Sequence, residues 1–406
     1  MVAAVLSGIR VLDLTQYIAG PYCTKMFADW GAEVIKVEKP RSGDPARWAG
    51  PFPADVPHAE KSALFLHLNT NKKSITLNLA SDIGRRAVLE LAKESDVVVE
   101  SFRPGTMDRF GLGYEELKAA NPRLIVTSIS NFGQTGPYRD MVASEAVLFA
   151  LGGPMNVMGL PDREPIMLGG NHVQYQAGNS AAYASLAAWY GREYGGTPGQ
   201  HVDVSIMETQ AETINFRKIY LTSYQYRGER ASRAPVSALG FPSGFYPCSD
   251  GYVVVNGGGQ FWARTCKMLG HPEWVNHEEY GLPAGQFNQE AKEKFDAEVW
   301  LPWVISRSKV EVMEECQRYG ILCGAIMTVE DAMTSSHYRE RNFWIDVEHP
   351  VAGTVTQPGP QFVMEKTPRP HPKPAPLLGE HTSEILVGRL GYTPQQVAHF
   401  AAAGIV

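Results

Sequence analysis

The sequence has few cysteines, few charged residues and no long apolar run. Its five cysteines are scattered, odd in number and without a C-x-x-C pair, which excludes a disulfide framework and gives no support to a zinc site. No window approaches the roughly 18 uninterrupted apolar residues of a membrane span. The first residues, MVAAVLSGIRVLDL, lack the cationic start of a signal peptide. We therefore expect a cytoplasmic protein without a membrane segment, a metal site or a permanently bound cofactor.

A basic excess is also missing. The 406 residues carry 37 Lys and Arg against 43 Asp and Glu, a formal net charge of −6. Nucleic-acid binding needs a basic surface, so nucleic acid is not expected as a partner. An anionic ligand would have to be held by local cations and helix N-termini against the overall charge.

What is present indicates a well-packed α/β protein. Apolar residues make up 44% of the chain, and the length predicts two or three domains. The first half alternates buried strands with helices, which predicts a doubly wound, mainly parallel sheet covered on both faces. The predicted strands are Ile9–Leu14, Glu33–Val37, Ser74–Leu79, Asp96–Glu100, Leu124–Ser130 and His201–Ser205.

The later chain changes in composition. Gly178–Tyr194 is Ala-rich and predicts a closely packed helix, whereas Arg227–Pro247 is rich in Arg, Gly, Pro and Ser and predicts a crossing between units. The Pro-rich stretch from residue 347 to 381 contains interspersed Val and Phe, which favour an ordered strap over a surface. We expect a large domain from residues 1–225 plus 332–406 and a smaller inserted domain from 226–331.

The first strand leads into a turn, Thr15–Gly20, and a helix that begins near Pro21. Doubly wound folds bind phosphates at such helix starts, but the glycine fingerprint of dinucleotide sites is absent, so ligand binding and plain structure both stay open here. Basic residues follow the ends of several strands. Together they predict an anion site at one edge of the sheet: Lys36, Lys39, Arg41, Arg47, Lys72, Lys73, Arg103 and Arg109.

Long stretches of the chain resemble the class III CoA-transferases, the CaiB/BaiF family. They are GIRVLDLTQYIAGPYCTKMFADWGAEVIKVEKPRSGD, LNTNKKSITLNL, DVVVESFRPGTMDRFGL, NPRLIVTSISNFGQTGPY, GTPGQHVDVSIMET and PAPLLGEHTSEIL. The resemblance implies that acyl-CoA and a carboxylic acid are the substrates. It also implies an intertwined homodimer, in which each chain threads through the other.

Specific contacts to coenzyme A follow from the resemblance. Carried onto matching positions, they come from Tyr17, Ile18, Ala19, Lys39, Leu77, Ser101, Phe102 and Arg109. Several family members have Gln where this chain has Ile18, so a polar contact is not expected there.

The family's nucleophile is missing. Its chemistry uses an Asp carboxylate that attacks the acyl-CoA thioester and forms a mixed anhydride, in a pattern like G-x-x-x-x-D-x-x-A-G-x-x-A-A. Here Gly169–Ala182 meets every fixed position except the Asp, which is Gln174, and no carboxylate lies between Glu164 and Glu193. Glu145 could be another carboxylate of the site or a structural acid, and His172 could be a general base or an ordinary loop residue.

Three functions compete at this point. We favour a CoA-thioester-binding protein of the class III family, in which CoA transfer is in question because of Gln174. The alternative is a non-catalytic or regulatory subunit that pairs with an active paralogue. A nicotinamide-dependent oxidoreductase is disfavoured by the missing G-x-G-x-x-G. A racemase of the same family is disfavoured because Ser144 and Gln174 replace both of its proton carriers.

Overall fold

The computed structural model describes residues 4–213, 222–229, 233, 240–281, 284–359, 361–367 and 369–406. The chain forms two compact units. The larger unit contains Met1–Met158, Ile166–Ala231 and Asn342–Val406, and the smaller contains Gly159–Pro165 and Ser232–Arg341. Among the described residues, no helix is both long and apolar enough to cross a membrane.

A six-stranded parallel sheet forms the centre of the larger unit, as the sequence predicts. Its strands lie in the order β3-β2-β1-β4-β5-β6, so consecutive strands run outward from β1 and then from β4. In doubly wound folds, ligands bind outside the carboxyl ends of the strands where the order reverses. The strands are β1 (Arg10–Leu14), β2 (Glu33–Glu38), β3 (Lys73–Thr76), β4 (Val97–Glu100), β5 (Ile125–Ser130) and β6 (His201–Ser205).

Helices bury both faces of this sheet. One core joins Val11, Val99 and Ile129 to apolar residues of α1 and α7, and the other joins Leu12, Val98 and their neighbours to α3, α5, α16 and α17. The helices of the larger unit are α1 (Ala19–Asp29), α2 (Ala63–Leu68), α3 (Asp82–Glu94), α4 (Thr106–Arg109), α5 (Tyr114–Ala120), α6 (Glu145–Gly152), α7 (His172–Tyr194), α8 (Ile206–Thr213), α9 (222–227), α16 (Thr382–Gly388) and α17 (Pro394–Ala402).

Helix α7 begins at His172, six residues before the Gly178 expected from the sequence. Gly170, with φ +77°, ends the preceding loop, and Asn171 is the N-cap residue. Gln174 therefore lies in the first turn of a helix and not in a loop.

The C-terminal part of the larger unit contains a hairpin that the sequence reading missed. It pairs β10 (Trp344–His349) with β11 (Gly353–Pro358) antiparallel, with Val347 opposite Val355. The proline residues nearby suggested only an extended chain. Beyond the hairpin the chain is held against the unit, since Arg47 Nη2 donates to Pro376 O at 3.0 Å and Lys373 N donates to Asn71 Oδ1 at 2.7 Å.

The smaller unit packs helices against a three-stranded antiparallel sheet, β7 (Ser243–Cys248), β8 (Gly251–Asn256) and β9 (Leu322–Ala325). Its core is aromatic, with Phe241, Trp262, Phe295 and Trp300 fully buried. Its helices are α10 (Trp262–Met268), α11 (Gln289–Phe295), α12 (Leu301–Ile305), α13 (Lys309–Arg318), α14 (Val329–Thr334) and α15 (Ser336–Glu340). A π-helical turn, Asp296–Trp300, joins α11 to α12.

Candidate active site

The turn between β1 and α1 is fixed from beneath by buried polar groups. Asp13 Oδ1 accepts hydrogen bonds from Thr15 N at 2.9 Å and Thr15 Oγ1 at 2.5 Å. Lys36 Nζ donates to Thr15 O at 2.9 Å, and Asp44 Oδ1 accepts from Tyr17 N at 3.0 Å. Tyr17 has φ +70°, a left-handed conformation that a non-glycine residue adopts only where surrounding contacts hold it. The turn is therefore pre-formed.

Three of the predicted anion-binding cations belong to this buried network, which corrects that prediction. Lys36 Nζ lies 2.8 Å from Asp44 Oδ2, Lys72 Nζ lies 3.1 Å from Asp13 Oδ2, and Arg47 Nε lies 2.8 Å from Glu38 Oε2. Burial alone would raise the pKa of Asp13, but the ammonium groups of Lys36 and Lys72 hold it at about 2. Lys36, Arg47 and Lys72 are thus paired inside the protein and cannot serve an external anion.

Of the five other predicted cations, Arg103 and Arg109 border a large cavity over the carboxyl ends of β1, β4 and β5, whereas Arg41 and Lys73 do not line it. The cavity has a volume of about 560 Å³ and lies where the strand order reverses. Arg103, Arg109 and Arg139 line it, against one acid, Asp140. Six residues predicted for the site are also in its wall: Tyr17, Ala19, Ser101, Phe102, Arg109 and Gln174.

A second cavity of about 240 Å³ adjoins the first, because Gln16 and Phe102 line both. Lys39 and Leu77, two further residues predicted to contact CoA, lie in its wall. Ile18, by contrast, lines neither of these cavities among the described residues. Its side chain is fully buried and packs with Tyr22 and Leu68. The structure therefore brings seven of the eight predicted CoA residues to two neighbouring cavities.

Gln174 and Glu145 meet at the start of α7. Glu145 Oε1 accepts a hydrogen bond from Val173 N at 2.6 Å, while its Oε2 is buried and has no hydrogen-bond partner among the described residues. Burial raises the pKa of the Glu145 carboxyl, although the N–H of Val173, the charge of His172 and the Gln174 groups act in the opposite direction. A carboxylate thus stands directly beside Gln174, but it is already engaged at the helix N-terminus.

Gly178 lets α7 approach the start of α1. A Cβ atom at Gly178 would lie 2.6 Å from Ala19 O and 3.1 Å from Tyr22 Cδ1. This contact places the first turn of α7, and with it Gln174, over the residues that begin α1. The small residue is required by the backbone contact, as the Ala-rich sequence suggested.

We expect Gly178→Ala to destabilise the larger unit by about 1–3 kcal/mol, because overpacking against backbone cannot be relieved by a rotamer change. CoA affinity should fall as well, since α1 and α7 both border the cavity. Urea unfolding and CoA titration measure the two effects. Gly388→Ala in α16 is the control, since nothing lies within 4 Å of its added Cβ. Equal stability of the two variants would contradict the packing argument.

Glu100 supports the turn that follows β4. The side chain is buried, and its Oε2 accepts a hydrogen bond from Phe102 N at 2.8 Å, while Ser101 Oγ accepts from Gln16 N at 3.0 Å. Burial raises the pKa of Glu100 to about 7, with Asp108 and Asp203 acting in the same direction and the Ser128 hydroxyl against it. The turn that carries Ser101 and Phe102 thus rests on an acid that titrates near neutral pH.

Stability should therefore change with pH through Glu100. The folded-state pKa of Glu100 lies above the ordinary 4.5. Its stabilising contribution to the free energy of unfolding is therefore fully present below about pH 4.5 and is lost as pH rises through about 7. The loss is on the order of 3 kcal/mol. Glu100→Gln should remove this dependence, measured as the difference in unfolding free energy between variant and wild type from pH 5 to 8. Glu90→Gln, an exposed change, should leave the pH dependence of the unfolding free energy as in the wild type. If the unfolding free energy of Glu100→Gln changes with pH just as that of the wild type does, Glu100 is not the titrating group.

Sequence reasoning missed several residues of the larger cavity. Gln16 and Asn131 follow the ends of β1 and β5, so their position after a strand was a usable signal. Arg139 and Met141 lie in a loop without a recognisable pattern, and only the three-dimensional structure brings them to the wall. His172, considered as a base, is exposed in the first turn of α7 and does not line the cavity described here. Among the described residues, no group of three or more His, Cys, Asp or Glu could hold a metal ion.

Known proteins match this chain over nearly its full length. A family model described as CoA-transferase family III matches residues 6–382. The chain is 32% identical over 404 residues to the succinyl-CoA–D-citramalate CoA-transferase of Chloroflexus aurantiacus, covering 99% of this chain and 98% of that protein. It is 30% identical over 409 residues to the succinyl-CoA:glutarate CoA-transferase of Homo sapiens, covering 99% and 90%.

Solved structures agree with these relatives. The crystal structure of a CAIB/BAIF family protein from Brucella suis has a TM-score of 0.83 and 28% identity, covering 95% of this chain and all of that one. The Rv3272 protein of Mycobacterium tuberculosis has a TM-score of 0.76 and 28% identity, covering 95% and 99%. Sequence and structure comparisons thus point to one family.

Proposed function

The chain belongs to CoA-transferase family III, and we propose that it binds CoA thioesters in the larger cavity with the acyl group directed toward Gln174. The observation that carries the proposal is the position of Gln174 in the cavity wall, together with the predicted CoA-contacting residues. The relatives are named for CoA transfer between carboxylic acids, and we extend this substrate class, acyl-CoA and a carboxylic acid, to the present chain.

The charges and walls of the two cavities support the CoA assignment. CoA carries phosphates on a long, partly apolar molecule, and it needs cations at one end and apolar contacts along its length. Arg103, Arg109 and Lys39 are exposed at cavity walls, and Phe102 and Leu77 supply apolar surface. The buried ion pairs beneath the β1 turn keep this surface in place without competing for the phosphates.

The usual transfer step has no nucleophile at position 174. A carboxylate attacks the thioester carbonyl, forms a mixed anhydride and releases the CoA thiolate. The Gln174 amide has no negative charge and cannot form an ordinary anhydride. Glu145 lines neither of the two cavities, and its Oε1 accepts the Val173 N–H at 2.6 Å, so we assign it the role of holding the first turn of α7 and orienting Gln174. The protein is then a CoA-ester-binding member of the family without the aspartyl route, which also fits a regulatory subunit that pairs with an active paralogue.

A binding experiment tests the CoA assignment. We expect CoA to bind saturably in calorimetric titration, with an affinity that falls as salt increases. Arg109→Gln should weaken binding by roughly 10- to 100-fold, as expected for the loss of a charge-assisted contact of about 1.5–3 kcal/mol. Lys118→Gln, an exposed change on α5, should bind as the wild type does. Absence of CoA binding to the wild type would reject the proposed function.

The quaternary structure and the domain division complete the proposal. We propose an intertwined homodimer with one domain formed by residues 1–225 plus 332–406 and an inserted domain formed by 226–331. Membership of CoA-transferase family III supports both the dimer and the domain division. One chain has a mass of 44.7 kDa. Sedimentation equilibrium should give twice that mass, and the mass of a single chain would exclude the intertwined dimer.

A further inference from the structure

We propose that the larger unit carries a second ligand site, which binds a small carboxylate anion in a cavity beside α1. The cavity has a volume of about 160 Å³ and shares no lining residue with the larger cavity of the candidate active site. Tyr22, in its wall, makes an edge contact with Tyr175 at 4.8 Å between ring centroids. The inference does not depend on CoA binding.

Buried positive charge exceeds negative charge in the wall of this cavity. Lys25 and Arg369 both pair with Asp29, at 2.9 Å and 2.6 Å from its Oδ2, and both side chains are more than nine-tenths buried. One carboxylate thus faces two cations. Burial lowers the pKa of Lys25, and the charge of Arg369 lowers it further against the effect of Asp29. Buried charges are stable when they are paired, so one further anion would balance the cluster.

Asp29 cannot balance the second positive charge of this cluster. Its Oδ1 accepts hydrogen bonds from Asn71 Nδ2 at 2.7 Å and Thr70 Oγ1 at 3.2 Å, and its Oδ2 faces both cations. Arg369 Nε and His67 Nδ1 are buried and have no hydrogen-bond partner in the part of the chain that the structure describes. Burial and the charge of Lys25 hold the pKa of His67 at about 4, against the charge of Asp29 and a hydrogen bond with Gln357, so its ring is neutral at pH 7 and adds no charge to the cluster. One donor with no assigned acceptor among the described residues, the guanidinium Nε of Arg369, thus borders the cavity.

The geometry favours a carboxylate over a spherical ion. A guanidinium presents its N–H groups as a planar fork that matches the two oxygens of a carboxylate. The other walls are apolar, formed by Met26, Trp30, Phe343 and Phe362, with Trp30 and Phe362 stacked at 4.6 Å. Such walls suit a short hydrocarbon chain, and the volume exceeds that of several water molecules at about 30 Å³ each. A charged end against Arg369 and a short apolar body therefore fit this cavity.

Titration of the full-length protein with sodium acetate tests the site, with sodium phosphate and sodium chloride compared at equal ionic strength. We expect saturable acetate binding by ligand-observed NMR and a rise in Tm that saturates with it. Arg369→Met should weaken acetate binding at least about tenfold. Arg369→Lys, which keeps a positive charge beside Asp29 but removes the planar fork, should also weaken it and provides the test if Arg369→Met does not fold. Arg85→Met, on the exposed surface of α3, should bind acetate as the wild type does.

Each result decides for or against the site. Acetate binding that is weakened or lost in the Arg369 variants and kept in the Arg85 variant supports it. Binding of phosphate or chloride without acetate overturns the carboxylate assignment. Absence of any saturable anion binding, or acetate binding unchanged in a folded Arg369 variant, overturns the site. CoA titration of the same samples separates this result from the proposed function, because wild-type CoA binding should persist whether or not acetate binds.

Discussion

Replacing Gln174 by Asp is expected to give the protein CoA-transfer activity at least about 10²-fold above the wild type. Loss of a covalent nucleophile typically costs about 10⁴- to 10⁶-fold in rate, so restoring the carboxylate in a pre-formed site should recover a substantial part. The side chain at 174 already lines the larger cavity, and Gly178 holds its helix against α1. The variant is assayed by exchange of CoA between the acyl-CoA that the wild type binds most tightly and a labelled free acid.

Gln174→Asn is the matched control, since it shortens the side chain as Asp does but keeps an uncharged amide. It should show wild-type activity, and the Asp variant alone should form a hydroxylamine-sensitive adduct. If Asp and Asn variants are equally inactive while both still bind CoA, the position does not present its side chain to the thioester, and the assignment of Gln174 to the nucleophile's place is wrong.

Lys72→Met is expected to destabilise the larger unit by about 3–5 kcal/mol, because removal of one partner leaves a buried charge unpaired. Lys72 Nζ donates to Asp13 Oδ2, Pro21 O, Thr24 Oγ1 and Asn69 Oδ1, at 2.8 to 3.1 Å. Methionine fills the volume but satisfies none of these acceptors. Asp13 also holds Thr15 in the β1 turn, so CoA affinity should fall in the same variant. Urea unfolding and CoA titration measure the two losses.

The adjacent residue offers the control. Lys73 pairs with Glu33 at 3.2 Å and Glu384 at 2.8 Å, but about a third of its side chain is exposed. Surface pairs of this kind contribute about 0–1 kcal/mol, and Lys73→Met should have little effect on stability or CoA binding. A Lys72 variant as stable as the Lys73 variant would show that the buried network does not support the site.

The parallel sheet of the larger unit could be predicted from the sequence because its strands are short, apolar and regularly separated by helices. All six strands of the parallel sheet were predicted, and their boundaries differ by few residues. The hairpin β10–β11 was missed because Pro350 between its strands and Pro358 at the end of β11 suggested only an extended chain, and its stability depends on cross-strand pairs such as Val347 with Val355. The start of α7 was placed too late because glycine was read as the beginning of the helix, whereas Gly178 serves the contact with Ala19.

The site was predictable where residues follow strand ends and not where pairing decides their role. Ser101, Phe102 and Arg109 line the larger cavity as the family resemblance implied. Lys36 lies within β2 and Lys72 just before β3, and both are buried in ion pairs. A sequence does not show which cation pairs with a buried acid. Arg139 reaches the cavity wall from a loop, and its position depends on a chain path that residue patterns do not specify.

Intact-mass analysis of the wild-type protein saturated with acyl-CoA tests the central claim most directly. We expect saturable binding with an unchanged protein mass and no hydroxylamine-sensitive adduct, because Gln174 cannot form the anhydride and Glu145 lines neither of the two cavities. A covalent acyl or CoA adduct mapped to Glu145, or to any other residue, would show that the protein retains a nucleophile and would contradict the account.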